Sequence, residues 1–191
     1  MFIQHLNIPH LPFTEVNWER RMPLKGHVPI SLNMVNPEMI DWFEMIGMYI
    51  KNVDIFCSPP GFRLPIHVDG KKIDNCCAIN WAYCDEEGAL MEWWKPLSDK
   101  INTVTPGTEK DAYNITTTPY AFAWKDEECT KVFESEVMQP SLVNIGRPHA
   151  MSNHTNSQRF AISITWRTFD GTDMQFDDAY RRLDKALALQ K

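Results

Sequence analysis

The chain contains no run of basic residues, no zinc-finger spacing and no low-complexity tract. Its net charge of −6 over 191 residues favours solubility and gives no reason to expect a nucleic-acid partner. No apolar stretch approaches the roughly 18–20 residues that a membrane-crossing helix needs. The opening Met1-Phe2-Ile3-Gln4-His5 lacks the basic segment and apolar stretch of a secretory signal. Cysteine is scarce and irregular: Cys57, Cys76, Cys77, Cys84 and Cys129 are odd in number, and the adjacent pair would face opposite ways on a strand. This pattern argues against a disulfide framework and for reduced thiols in a cytoplasmic setting. A thiolate zinc site on Cys77 and Cys84 lacks the second pair that would support it.

What remains is an ordinary globular composition, 43% hydrophobic and 23% charged, expected to form one domain over residues 1–191. An extended, proline-rich arm is expected over 1–35, holding Pro9, Pro12, Pro23 and Pro29. Asn36-Pro37-Glu38 reads as a helix start, and Ile40, Phe43, Ile46 and Ile50 recur at helical spacing, giving a helix over about 37–50. Strands are expected through a β core over about 53–167. A polar stretch over Lys95–Thr118 reads as a long excursion. A closing helix over about 173–189 carries Phe176, Tyr180, Leu183 and Leu187 on one side.

Two strands alternate in an informative way. On 159–166, Phe160, Ile162, Ile164 and Trp166 form a bulky face, with Arg159, Ala161, Ser163 and Thr165 on the other. On 75–84, Cys77, Ile79, Trp81 and Tyr83 oppose a small face that carries the single amide Asn80. Small, polar faces suit a sheet that turns one side toward a cavity. Many short strands with helices at the two ends indicate a mainly β fold: a double-stranded β-helix (jelly roll, cupin-like) core with flanking helices.

The chemistry-bearing feature is His67-Val68-Asp69. On extended backbone an imidazole and a carboxylate two residues apart share a side, so both can reach one metal ion. A later His149, in Asn144-Ile145-Gly146-Arg147-Pro148-His149, would complete two imidazoles and one carboxylate, a facial set that leaves positions open and suits non-haem Fe(II). His154, in a polar turn, competes with His149 as the distal ligand.

These residues, with Arg159 ten positions beyond His149, resemble the pattern of the Fe(II)/2-oxoglutarate-dependent dioxygenases: His-x-Asp, a distal His, then an Arg or Lys on the last core strand. The resemblance covers roughly Val53 to Trp166. It implies that His67, Asp69 and His149 hold Fe(II), that Arg159 anchors the far carboxylate of 2-oxoglutarate, and that O2 is the co-substrate. It also implies oxidative decarboxylation to succinate and CO2, coupled to hydroxylation of an amino acid, a peptide or protein side chain, or a small metabolite. Asn80 and Ser163 are candidate co-substrate contacts, although the chain departs from the family by holding Ala161 two residues after the arginine. Arg63, Arg147 and Trp93 are candidate substrate or co-substrate contacts, and either arginine could replace Arg159 as the anchor. The expected partner is a small-molecule or peptide substrate, with the protein a monomer or homodimer. Two readings compete: a cupin-like metal enzyme that does not use 2-oxoglutarate, and a non-catalytic β-sandwich binding module.

Overall fold

A computed structural model describes residues 1–13, 26–69, 73–98, 109–110, 116–117 and 122–189. The N-terminal arm supplies β1 (Ile3–His5) and β2 (Gly26–Pro29). After α1 (Pro37–Met45) come β3 (Tyr49–Ser58), β4 (Ile66–Val68), β5 (Cys77–Tyr83) and β6 (Ala89–Pro96). A small hairpin of β7 (Glu109–Lys110) and β8 (Thr116–Thr117) precedes β9 (Phe122–Trp124). Then β10 (Cys129–Glu136), β11 (Ser141–Asn144), β12 (His149–Asn153) and β13 (Arg159–Arg167) lead to α2 (Phe176–Ala188).

Two antiparallel sheets result, in the orders β1-β11-β5-β13-β3-β2 and β10-β6-β12-β4-β9. From β3 to β6, and again from β10 to β13, each successive strand lies in the opposite sheet. That alternation is the winding of a double-stranded β-helix, so the fold is the mainly β jelly roll that the pattern of short strands predicts. Among the described residues, no helix is long and apolar enough to cross a membrane.

Side-chain size decides which face of the larger sheet turns inward. Ile79, Trp81, Ile162, Ile164 and Trp166 pack with Met39, Trp42, Phe43, Phe176 and Leu183 of the helices into the main core. The Phe43 and Trp166 rings lie 4.1 Å apart. The opposite faces of the same strands contribute Ala78, Ala82 and Ala161, which meet Met91 and Trp93 of the second sheet. Bulk on one face and small residues on the other therefore set the helices against the first and the second sheet against the second, where Arg159, Ser163 and Asn80 are the polar members.

Several boundaries differ from the sequence expectation. The first helix ends at Met45 rather than near residue 50, because Gly47 takes a left-handed conformation with φ of 73° that terminates the helix. Ile50 thus belongs to β3, so the β core starts at Tyr49 rather than residue 53. The segment read as a polar turn after His149 is in part a strand, β12, whose Ser152 and Asn153 are buried. The arm is not merely extended: β1 pairs with β11 and β2 with β3. Most of the Lys95–Thr118 excursion lies outside the described residues.

Candidate metal centre

His67 and His149 are directly opposed across the β4–β12 ladder. Directly opposed residues share a face of the sheet, and the two rings lie 4.4 Å apart between centroids, each residue only 4% exposed. Asp69 follows β4 immediately, and its Oδ1 lies 3.2 Å from His67 Nε2. The donor atoms of His67, Asp69 and His149 all fall within 4.8 Å of one another. His154 is exposed and outside this group.

Both imidazoles are oriented in the same way. His67 Nδ1 lies 2.7 Å from the carbonyl of Pro65, and His149 Nδ1 lies 2.9 Å from that of Arg147. A carbonyl only accepts, so each Nδ1 carries the proton and donates. In the neutral ring the lone pair is then on Nε2, the atom turned toward Asp69. Proline helps to fix both carbonyls: Pro65 has its own φ locked, and Pro148 forces Arg147 toward extended backbone. Such outer hydrogen bonds set the tautomer of a metal-binding histidine.

Electrostatics prepare the same set. Burial, reinforced by His67, pulls the His149 pKa down to about 4, against the opposing pull of Asp69 and the Arg147 carbonyl, so this ring is neutral at pH 7. Burial alone would raise the Asp69 carboxyl. The facing imidazoles of His67, at 3.2 Å, and of His149 outweigh it and hold the group below its usual range. Two imidazoles and an ionised carboxylate facing one point can hold a divalent metal ion. The imidazoles are enclosed, whereas the Asp69 side chain is 38% exposed. It borders a cleft of about 200 Å³ that Lys51, Asn52, Cys76, Ile145 and Thr165 also line. Among the described residues, the opening to the cleft is thus on the carboxylate side.

Arg159 opens β13 on its inward face and is 3% exposed. Its Nε has no hydrogen-bond partner, and no carboxylate is in ion-pair range among the described residues. Burial pulls its pKa down to about 10, slightly opposed by Cys84, yet it keeps its charge at neutral pH. A buried cation without a counter-ion costs several kcal/mol, and an anionic ligand would remove that cost. Ser163 lies two inward positions further along β13, in register with Asn80 of β5 and Asp54 of β3. Asn80 is buried, and its Nδ2 donates weakly to Met91 Sδ at 3.6 Å.

The other candidates lie elsewhere. Arg63 donates to both oxygens of Asp126 at 2.8 and 3.0 Å, reaches Glu92 at 3.5 Å and covers the Trp94 ring. It is committed to acids away from the triad. The Arg147 side chain is exposed and donates to Asn75; its contribution to the centre is its carbonyl. Trp93 stands opposite His149 in the β6–β12 ladder but is fully buried, with its indole N–H donated to the Asn144 carbonyl. It is a wall of the interior with no polar atom left for a substrate. The proposed thiolate pair is split, Cys77 reaching the Met174 carbonyl and Cys84 reaching Thr155.

No family model matches the sequence, and no curated protein is similar to it. Among solved structures, ThoJ in its apo form, a non-heme monooxygenase, is 14% identical over 80% of this chain and 74% of that one, with a TM-score of 0.39. The ThoJ–nickel complex is 13% identical over 82% and 74%, with a TM-score of 0.38. EvdO2 from Micromonospora carbonacea var. aurantiaca, complexed with 2-oxoglutarate, is 10% identical over 90% and 83%, with a TM-score of 0.35. Likenesses of this size carry no weight for the chemistry, which rests on the geometry of the chain itself.

Proposed function

We propose that the chain is a non-haem Fe(II)- and 2-oxoglutarate-dependent oxygenase that hydroxylates an amino acid, a peptide or protein side chain, or a small metabolite, releasing succinate and CO2. The observation that carries this reading is the pairing, inside one jelly roll, of the His67–Asp69–His149 cluster with an Arg159 that is buried and has no counter-ion among the described residues. A metal-binding cupin without a keto-acid co-substrate has no use for such an arginine, and a binding module has no use for the cluster.

The residues present fit the groups this reading requires. His67 and His149 bind the metal through Nε2, and Asp69 binds through a carboxylate oxygen while staying open to the cleft. Bound there, Fe(II) supplies the oxidising power from O2, with 2-oxoglutarate as the electron source. Arg159 receives the far carboxylate of 2-oxoglutarate in a bidentate, permanently charged fork. Ser163 offers a hydroxyl donor between that arginine and the triad. Met91, Trp93, Ala78 and Ala161 keep water out of the interior, which strengthens each of these ionic contacts.

The test is succinate formation from 2-oxoglutarate, with iron content measured in parallel. Activity should require Fe(II), and His67→Ala, Asp69→Ala and His149→Ala should each lose both iron and succinate formation. His154→Ala should retain both. A chain in which His154→Ala loses the metal while His149→Ala keeps it has a different centre.

A further inference from the structure

Asp54 has no role in the centre described so far, yet it faces the same interior. It stands directly opposite Ser163 in the β3–β13 ladder, and Ser163 stands opposite Asn80 in the β13–β5 ladder. Opposed residues share a face, so Asp54, Ser163 and Asn80 form one row across three strands, about 10 Å from end to end. Asp54 is half-buried and makes no hydrogen bond or ion pair among the described residues. It feels Asp69 as a like charge and His27 as an opposing one. His27, on the adjacent β2, is itself stacked on Phe56, with ring centroids 5.6 Å apart.

The other end of the row points the same way. Asn80 is 8% exposed, and its Oδ1 has no hydrogen-bond partner. The sequence suggested Asn80 as a contact to 2-oxoglutarate, but the free atom is an acceptor, and at neutral pH that dianion also offers only acceptors. One row further toward the cleft, the buried Thr165 Oγ1 is unpartnered too. Arg159 lies four residues from Ser163, roughly 13 Å along the strand. The interior is thus polarised, with the Arg159 cation at one end and the Asp54 carboxylate and Asn80 Oδ1 as acceptors at the other. A dicarboxylate suits the first end. The second calls for a ligand that donates hydrogen bonds and carries positive charge.

We propose that the row Asp54–Ser163–Asn80 receives a protonated nitrogen of the substrate, an ammonium or guanidinium group, with Asp54 as its counter-ion and Asn80 Oδ1 as a second acceptor. This rests on the oxygenase reading and narrows its substrate to amines and guanidines. Asp54 selects among substrates and holds one in position; the metal ligands are separate from it.

The experiment uses protein loaded with redox-silent Zn(II) and 2-oxoglutarate, both uptakes being measured first by calorimetry. n-Pentylamine, 1,5-diaminopentane and agmatine are then titrated, with n-pentanol as the counterpart that lacks a protonated nitrogen. At least one cationic probe should bind about tenfold or more tightly than n-pentanol. Asp54→Asn should erase that preference while leaving Zn(II) uptake unchanged, and Asp54→Glu should restore part of it. Equal binding of cationic and neutral probes by the wild type, or a preference that survives Asp54→Asn, overturns the proposal. A wild type that fails to take up Zn(II) or 2-oxoglutarate sinks the oxygenase reading, and this assignment with it; normal uptake without cation preference sinks this assignment alone.

Discussion

Replacing Arg159 with methionine should move stability and ligand binding in opposite directions. Methionine matches much of the arginine stem and adapts to an irregular cavity, so the substitution removes the charge while filling most of the space. In the metal-free protein the guanidinium is 3% exposed and its Nε bonds to nothing. Replacing buried ionic groups with well-packed apolar ones gains about 1–4 kcal/mol in favourable cases. An unpaired cation belongs at the favourable end, and a gain of about 1–3 kcal/mol is expected. Most buried substitutions instead cost about 1 kcal/mol. Binding should suffer the reverse. Two charge-assisted hydrogen bonds at about 1.5–3 kcal/mol each amount to at least about 3 kcal/mol, or roughly a hundredfold weaker 2-oxoglutarate binding. Urea unfolding of the metal-free protein measures the first quantity, and calorimetry on the Zn(II) form measures the second. A methionine variant less stable than the wild type would show that Arg159 already has a counter-ion in the folded chain. Unchanged 2-oxoglutarate affinity would move the anchor to another cation.

Two further perturbations probe the supports of the site. Asp54 has its pKa raised, by burial first and by Asp69 second, against His27. A folded-state value above the unfolded one means that stability is fully present below about pH 4 and is lost as pH rises through the folded value. The urea midpoint of Asp54→Asn should therefore rise relative to wild type between pH 4 and pH 7; parallel midpoints would contradict the carboxyl's burial. Gly146→Ala acts on the other flank, where a Cβ would meet the Cys76 amide nitrogen at 2.8 Å and the Asp74 carbonyl carbon at 2.9 Å. Backbone on that side has little room to yield, so about 1–3 kcal/mol of destabilisation and weaker metal binding through the displaced His149 are expected, read by thermal unfolding and metal titration.

What could be read in the sequence followed local rules. The alternation along 159–166 names its own two faces, and the packing of Ile162, Ile164 and Trp166 under the helices agrees with it. His67 and Asp69 share a side because period-two geometry requires it, and both prolines that fix the imidazole-orienting carbonyls stand beside the histidines. The helix end was also written locally, in Gly47, but the isoleucine spacing masked it. The β12 strand was hidden for a different reason. His-Ala-Met-Ser-Asn has little strand propensity of its own, and it is extended because it lies between β6 and β4, which are far from it in sequence.

Asp54 shows where local reading ends. In Val53-Asp54-Ile55-Phe56-Cys57 the alternation is clear, but a carboxylate opposite isoleucines reads most simply as facing solvent. Its partners decide otherwise. Ser163 and Asn80 fix the side on which Asp54 stands, and the two sheets turn that side inward. Among the described residues the same long-range pairing leaves Arg159 without an acid, since β13 carries none on its inward face and its β3 partner Ser58 offers none. Nothing near either residue in the chain reports its isolation. The fold thus keeps two opposite charges in one interior, too far apart to satisfy each other. On this reading, neutralising both should make a more stable ligand-free jelly roll, and ligands that carry the complementary charges should give that stability back to the wild type.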